Sequence, residues 1–172
     1  HGASGNAATW TPVRPSLDWA ELFVPDLPGR AETPGPARET VSETASWLAK
    51  AIDERGLDAP ILLGHSYGGA VALQLALEQP NRVGGLVLVS SASRLRVHPA
   101  ILTAVAAATT ESPFLLPDVA YGPQTPRGVI DGYNDAAASV PPASAMADWN
   151  ACNAFDVRER LGEVTLPVLV VY

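Results

Sequence analysis

The segment from residue 59 to residue 78 constrains the fold of this chain more than any other. It begins with a short apolar run, Ile61 to Leu63, whose length and branching predict a buried strand. The run leads into Gly64-His-Ser-Tyr-Gly68, and an apolar helical pattern then continues until Pro80 ends it. A G-x-S-x-G sequence between a strand and a helix predicts a turn so tight that the serine at its apex is strained.

The serine of this turn, Ser66, is the first candidate for chemistry. Gly64 and Gly68 stand two residues before and after it, where any Cβ would collide with the crossing backbone. The hydroxyl would then point out at the carboxyl end of the sheet, at the N-terminus of the following helix. The alternative is a glycine-rich turn whose serine only caps that helix. The pattern favours a nucleophile.

Composition excludes several classes of function. With 172 residues and 47% hydrophobic content the chain can bury a sizeable core as one domain. Its net charge of −7 speaks against nucleic acid or an anionic membrane as a partner. One cysteine and three histidines show no metal-ligand spacing, so we expect no metal and no cofactor, and an internal disulfide is excluded. No apolar run approaches the length of a transmembrane span.

The first half of the chain alternates between strand and helix patterns. Residues 21 to 24 predict a strand closed by a turn cluster, and a short helix is expected near residues 11 to 16. Thr40-Val-Ser-Glu43 matches a capping box at the start of an amphipathic helix that Gly56 ends. Gly85 to Ser90 predicts another buried strand. This order is typical of a parallel α/β sheet.

The second half has a different character. Residues 94 to 154 contain Ala-rich helical pieces broken by prolines and no apolar run of strand length, which indicates an insertion over the carboxyl end of the sheet. A short helix over Asp156 to Leu161 and a final buried strand over Leu166 to Val171 are expected after it. The predicted organisation is therefore a core over 1–93, a cap or lid over 94–154, and a return to the core over 155–172.

These features together resemble the α/β-hydrolase superfamily, in particular its small capped members. His1-Gly2 is similar to the HG loop that follows the family's third strand, and Phe23 to Gly29 is similar to its fourth strand with the D-x-x-G turn. The elbow is the third match, and Phe155 to Leu161 with Leu166 to Val170 resembles the return to the sheet after the cap. The resemblance implies an incomplete α/β-hydrolase fold, with a mostly parallel sheet, flanking helices and an inserted helical cap.

The resemblance also implies an activity and a set of residues. Ser66 would attack a small carboxylic ester and form an acyl-enzyme, and the expected partner is a small-molecule ester or a related acyl substrate. The backbone N–H of Tyr67 and that of Ala3 would form the oxyanion hole, with Ser4 a weaker choice than Ala3. Trp149, with Tyr121 and Tyr133, is expected to pack within the core or cap rather than line a pocket.

Other interpretations remain open at this point. On the same fold, the activity could be C–C bond hydrolysis or amide cleavage by an iminopeptidase-like enzyme. From a different class, the chain could be a catalytically silent fragment or a binding protein. Oligomeric state is undetermined, and a cytoplasmic location is the default expectation.

The family's triad runs in the order Ser, then Asp or Glu, then His, and the sequence does not supply the last two in the expected places. His1, His65 and His98 are interpreted as structural, and Asp156 as a helix cap or surface charge. The strand that precedes the HG loop is also missing, so residues 22 to 24 should lack a central neighbour. The sequence is therefore expected to be an internal piece of a longer hydrolase that is inactive by itself.

Overall fold

A computed structural model describes residues 1–172, and its centre is a parallel sheet of three strands. The strands are β1 (Ile61–His65), β2 (Gly85–Val89) and β3 (Val168–Val171), in the order β1-β2-β3. Within the register, Gly64 lies opposite Leu88 in β2. All pairs are parallel, so the carboxyl ends of the strands meet at one edge of the sheet. The predicted α/β class is confirmed.

The first helix, α1 (Val41–Glu54), begins at the predicted capping box. The Thr40 hydroxyl accepts the Glu43 N–H at 3.1 Å, and the Glu43 carboxylate accepts the Thr40 N–H at 3.1 Å. Its buried residues recur at helical spacing, so one face packs inward; they are Val41, Thr44, Ala45, Ala49 and Ile52. Both the start and the inward face of α1 agree with the sequence prediction.

The second helix, α2 (Tyr67–Glu78), starts directly after Ser66 and lies at the centre of the core. It packs on α1 and on strands β1 and β2. Every residue from Gly69 to Leu77 is buried, so the covered surface extends around the helix and is not confined to one stripe. A helix that is apolar all round is one that is covered on all sides.

Three further helices lie between β2 and β3: α3 (Pro99–Ala106), α4 (Arg127–Ala138) and α5 (Pro142–Ala154). Helix α3 packs against α5, and α5 also contacts α2. The 3-10 helix Ala7–Trp10 packs against α4. None of the helices combines the length and the apolar character needed to cross a bilayer.

Two strand predictions need correction. Residues 21 to 24 belong to no sheet, because no strand lies beside them to pair with their backbone groups. An apolar cavity of about 230 Å³ is lined by this segment and by β1. The last strand is present as β3 but is not buried, since its residues are 44–58% exposed. Successive residues of a strand face opposite sides, so neither face of β3 is covered.

Two helix predictions also change in detail. Residues 7 to 17 form two short 3-10 helices, Ala7–Trp10 and Arg14–Leu17, instead of one helix near residues 11 to 16. The return to the sheet passes through a 3-10 helix, Arg158–Glu163, displaced from the predicted span of 156 to 161.

Candidate active site

The turn between β1 and α2 holds Ser66 in an unusual backbone conformation. Its φ of +50° and ψ of −114° lie where residues with a Cβ are strained, at a cost of roughly 1–3 kcal/mol. Neighbouring groups hold it there: the Ser66 N–H donates to the Val89 carbonyl at 2.9 Å, and the Ser91 hydroxyl donates to the Ser66 carbonyl at 2.8 Å. Residues at and just after the end of β2 therefore hold both the N–H and the carbonyl group of Ser66.

The glycines around Ser66 permit three close approaches of the backbone. A Cβ on Gly64 would lie 2.4 Å from the Gly68 carbonyl carbon, and one on Gly68 would lie 2.7 Å from the His1 carbonyl oxygen. A Cβ on Gly69 would lie 2.5 Å from the Ser91 side chain. These distances are far shorter than any that real Cβ atoms show, so the turn requires glycine at each position.

The Ser66 hydroxyl is not used by the protein. Its side chain makes no capping hydrogen bond to α2, so the interpretation of Ser66 as a side-chain helix cap is wrong. The serine stands at the N-terminus of α2, where the unpaired N–H groups and the helix dipole favour negative charge. A hydroxyl placed there is free to react with a ligand.

The N-terminal loop lies directly beside this serine. A Cβ on Gly2 would be 3.6 Å from the Ser66 Cβ and 2.9 Å from the His65 Nδ1. The Ala3 N–H has no acceptor within the protein, whereas the Ser4 N–H donates to Asp148 Oδ2 at 3.0 Å. Tyr67 is the first residue of α2, so its N–H has no partner within the helix. Ala3 and Tyr67 thus each keep a backbone donor without a partner, Ala3 directly after the Gly2 that approaches Ser66 and Tyr67 directly after Ser66 itself.

None of the three histidines forms a hydrogen bond with Ser66. His1 is buried and both ring nitrogens are engaged: Nδ1 is 3.0 Å from the Gly2 carbonyl, and Nε2 accepts the Leu27 N–H at 3.2 Å. His98 is exposed and its Nδ1 accepts the Ala100 N–H at 3.2 Å, which caps α3. These contacts are structural.

His65 and Asp156 also lack the environment of a base and its acid. Burial lowers the pKa of the His65 ring, and no group orients it towards Ser66. Asp156 is exposed and pairs with Arg158 at 2.7 Å, and this hydrogen-bonded pair holds the pKa of Asp156 well below its usual range. Asp156 therefore carries a surface charge.

Sequence reasoning missed the most buried charges next to the loop. Arg30 donates two hydrogen bonds to Asp148, each of 2.7 Å, and the two side chains are 1% and 2% exposed. A signal for Asp148 was present, because the buried residues of α5 recur at helical spacing and 148 falls among them; they are Ser144, Ala145, Asp148, Ala151 and Cys152. A carboxylate at an inward position requires a charged or hydrogen-bonded partner.

Two aromatic residues of the helices between β2 and β3 reach the same loop. The Trp149 Nε1–H donates to the Ser4 hydroxyl oxygen at 2.9 Å, and the ring meets Phe114 edge-on at 5.7 Å. The Tyr133 hydroxyl donates to the Ala3 carbonyl at 3.4 Å, and burial raises its pKa to about 12. Tyr121 packs edge-on against Tyr133 at 6.3 Å. All three aromatic residues pack within the protein, and two of them also contact the N-terminal loop.

No group of three or more histidine, cysteine, aspartate or glutamate side chains is arranged to hold a metal ion. The chemistry that the arrangement can support is nucleophilic attack by a serine hydroxyl beside two free backbone donors.

Comparison with known proteins gives matches over most of the chain. A family model described as the alpha/beta hydrolase fold matches residues 1–130. A proposed carbamate hydrolase, RutD of Variovorax paradoxus, is 32% identical over 184 residues, which cover 98% of this chain and 69% of that protein. The lipase LipV of Mycobacterium tuberculosis is 35% identical over 95 residues, which cover 55% of this chain and 36% of the lipase.

Solved structures with a similar backbone include two esterases. An esterase from Exiguobacterium antarcticum superimposes with a TM-score of 0.83 at 17% identity, over 99% of this chain and 70% of the esterase. A thermophilic esterase from Thermogutta terrifontis, solved with malate bound, gives 0.79 at 25% identity, over 99% of this chain and 68% of the esterase. The chain thus spans about two thirds of the length of RutD and of both esterases.

Proposed function

The chain belongs to the alpha/beta hydrolase family, and on that premise we propose that Ser66 is the nucleophile in the hydrolysis of a small carboxylic ester. One observation carries the proposal: a strained turn presents the Ser66 hydroxyl at the start of α2 with no hydrogen bond to occupy it. Backbone strain of this kind is common at catalytic residues, and at Ser66 it coincides with a hydroxyl that has no partner in the protein.

The reaction would proceed in two steps through an acyl-enzyme. Ser66 Oγ attacks the carbonyl carbon while a base takes its proton, and the electron pair of the C=O bond moves onto oxygen. The N–H groups of Tyr67 and Ala3 would donate to that oxygen, where negative charge develops in the transition state. Collapse of the intermediate breaks the bond to the alcohol, which leaves with the proton. Water then attacks the acyl-enzyme by the same route and releases the acid.

A base and an acid that orients it are still required, because a serine hydroxyl is a weak nucleophile at neutral pH. The contacts of His1, His65 and His98 do not suit any of these histidines to act as the base. We therefore propose that the base and its acid come from residues outside the 172 described here, and that the 172-residue chain does not turn over substrate by itself.

The three-part organisation predicted from the sequence becomes part of the proposal. Residues 94–154 would form a cap over a core made of 1–93 and 155–172. The insertion leaves and rejoins the core at one place, where the Val157 N–H donates to the Ser93 carbonyl at 2.8 Å and the Leu95 N–H to the Phe155 carbonyl at 3.3 Å. A cytoplasmic location stays a prediction.

A carbamate is the second candidate substrate. The similarity to RutD, which covers 98% of this chain at 32% identity, is the observation that favours it. A carbamate also carries an acyl carbon, so the same nucleophile and donors would serve both substrates. Comparing kcat/KM for p-nitrophenyl acetate with that for a p-nitrophenyl carbamate in the complete gene product would rank the two.

A fluorophosphonate probe tests the nucleophile directly. The complete gene product should be labelled, Ser66→Ala should not, and Ser46→Ala should be labelled like the wild type because Ser46 lies on an exposed position of α1. An unlabelled wild type, or a label that persists in Ser66→Ala, would contradict the proposal. The 172-residue chain should show no turnover of p-nitrophenyl esters, and Ser66-dependent turnover would show that it contains a base.

A further inference from the structure

The peptide unit between Ala3 and Ser4 is held at both of its ends by the inserted helices. Its carbonyl oxygen accepts a hydrogen bond from Tyr133 on α4 at 3.4 Å, and its N–H donates to Asp148 on α5 at 3.0 Å. A peptide unit is planar, so fixing its oxygen and its hydrogen fixes its orientation. The orientation of this unit in turn restricts the conformation of Ala3, whose N–H has no acceptor within the protein and which follows the Gly2 that approaches Ser66.

The next residue, Ser4, stores backbone strain at this point. Its φ of +56° lies in the left-handed region, which a residue with a Cβ adopts only when its surroundings hold it there. Trp149 on α5 supplies part of that restraint, since its indole N–H donates to the Ser4 hydroxyl oxygen at 2.9 Å. Two consecutive residues of α5, Asp148 and Trp149, therefore hold the N–H and the side chain of Ser4.

Arg30 fixes the carboxylate that makes the first of these contacts. Its guanidinium donates to both oxygens of Asp148 at 2.7 Å and also to the Gly5 carbonyl at 3.0 Å. A buried carboxylate with such a partner has one orientation, because both of its oxygens are used. Arg30 thus connects its own turn to helix α5 and to the N-terminal loop.

We propose that Asp148 and Trp149 are positioning residues that set the direction of the Ala3 N–H through Ser4, so that the place of α5 controls the oxyanion hole. This proposal rests on the proposed function of Ser66 and Ala3. A contact that merely joins α5 to the core would stabilise the fold without affecting the transition state. A contact that positions an oxyanion donor acts on the transition state and leaves substrate binding almost unchanged.

The double variant Arg30→Met/Asp148→Leu separates these two roles in the complete gene product. Replacing a buried ion pair by apolar side chains of similar volume is often neutral or stabilising, so the variant can fold. It leaves the Ser4 N–H without its acceptor. We expect kcat to fall about 10- to 100-fold, less than the loss of a whole oxyanion donor, while KM changes less than about threefold.

An inhibitor that mimics the transition state provides the second readout. A trifluoromethyl ketone forms a hemiketal oxyanion with the active serine, so its Ki should rise by the same factor by which kcat/KM falls. Trp149→Phe keeps an aromatic ring against Phe114 and removes only the N–H, and should lower kcat about 3- to 10-fold by the same route. Asn150→Ala, on an exposed position of α5, is the matched control and should match the wild type.

The outcomes distinguish the positioning role from the proposed function itself. A wild type that no fluorophosphonate labels would overturn the proposed function. A labelled wild type with folded variants whose kcat and Ki are unchanged would overturn the positioning role alone. If the double variant fails to fold, Trp149→Phe provides the test instead. Unchanged kcat and Ki in Trp149→Phe would then overturn the positioning role.

Discussion

Gly64 and Gly68 approach each other so closely that a Cβ on Gly64 would lie 2.4 Å from both the carbonyl carbon and the carbonyl oxygen of Gly68. Gly64 lies near the carboxyl end of β1, and Gly68 lies in the first turn of α2. Their contact is where the strand and the helix cross. The geometry of the turn that carries Ser66 therefore depends on the absence of a side chain at Gly64, and a Cβ on Gly68 would in turn lie 2.7 Å from the His1 carbonyl oxygen.

Gly64→Ala should be among the most destabilising single substitutions in this chain. The added methyl would overlap backbone atoms, which cannot rotate away as a side chain can, so the strand and helix would have to separate. We expect the free energy of unfolding to fall by about 3 kcal/mol or more, the range of severe overpacking in a core. Equilibrium denaturation in urea measures the difference.

Gly132→Ala provides the matched control for this prediction. Gly132 lies inside α4, and a Cβ there would meet no atom within 4 Å. Alanine has the higher helix propensity, so this variant should gain about 0.5–1 kcal/mol. Similar losses in both variants would show that the effect of Gly64→Ala does not come from the crossing.

The capping box of α1 supports a second prediction. Thr40→Ala removes the hydroxyl that accepts the Glu43 N–H at 3.1 Å, which should lower the free energy of unfolding by about 1 kcal/mol. Thr40→Ser keeps the acceptor and should stay within a few tenths of a kcal/mol of the wild type. If serine costs as much as alanine in urea denaturation, the capping bond is not the source of the stability.

A buried hydrogen bond joins α1 to the first residue of α2. The Tyr67 and Thr44 hydroxyl oxygens are 2.8 Å apart, and burial raises the pKa of the Tyr67 phenol, so it stays neutral. Tyr67→Phe should cost about 1 kcal/mol, the usual net contribution of such a bond. A double-mutant cycle with Thr44→Val should give a coupling energy of similar size. A coupling energy near zero would mean that the two hydroxyls do not stabilise each other.

The features that could be predicted from sequence are those specified by neighbouring residues. The elbow needs two glycines and a serine within five positions, and the start of α1 needs Thr40 and Glu43 three residues apart. The parallel sheet follows from apolar runs such as Gly85–Val89 that are separated by helical patterns. In each case the residues that determine the structure are close in sequence, so a short window contains the whole cause.

The features that were missed depend on residues far apart in the chain. Whether residues 21 to 24 form a strand depends on a partner beside them, and their own composition cannot supply one. The apolar composition of Val168–Val171 predicted burial, but its exposure depends on which elements cover it. Arg30 and Asp148 are separated by 118 positions, and only the fold shows that they are one buried ion pair beside Ser4.

Burial of His65 predicts how stability depends on pH. Its pKa in the folded protein is lower than the ordinary value of 6.5, so below about pH 6.5 the unfolded chain binds a proton that the folded protein does not. The free energy of unfolding should therefore fall as the pH decreases from 7.5 to 5.5, by at most about 1.4 kcal/mol per pH unit from this one site.

His65→Gln should lose this contribution, so its stability relative to the wild type should improve as the pH falls. Asn150→Ala, on an exposed position of α5, changes no titratable group and should retain the wild-type slope. Urea denaturation of the three proteins at pH 5.5, 6.5 and 7.5 measures these slopes, and equal slopes for His65→Gln and the wild type would rule out a half-buried, neutral His65.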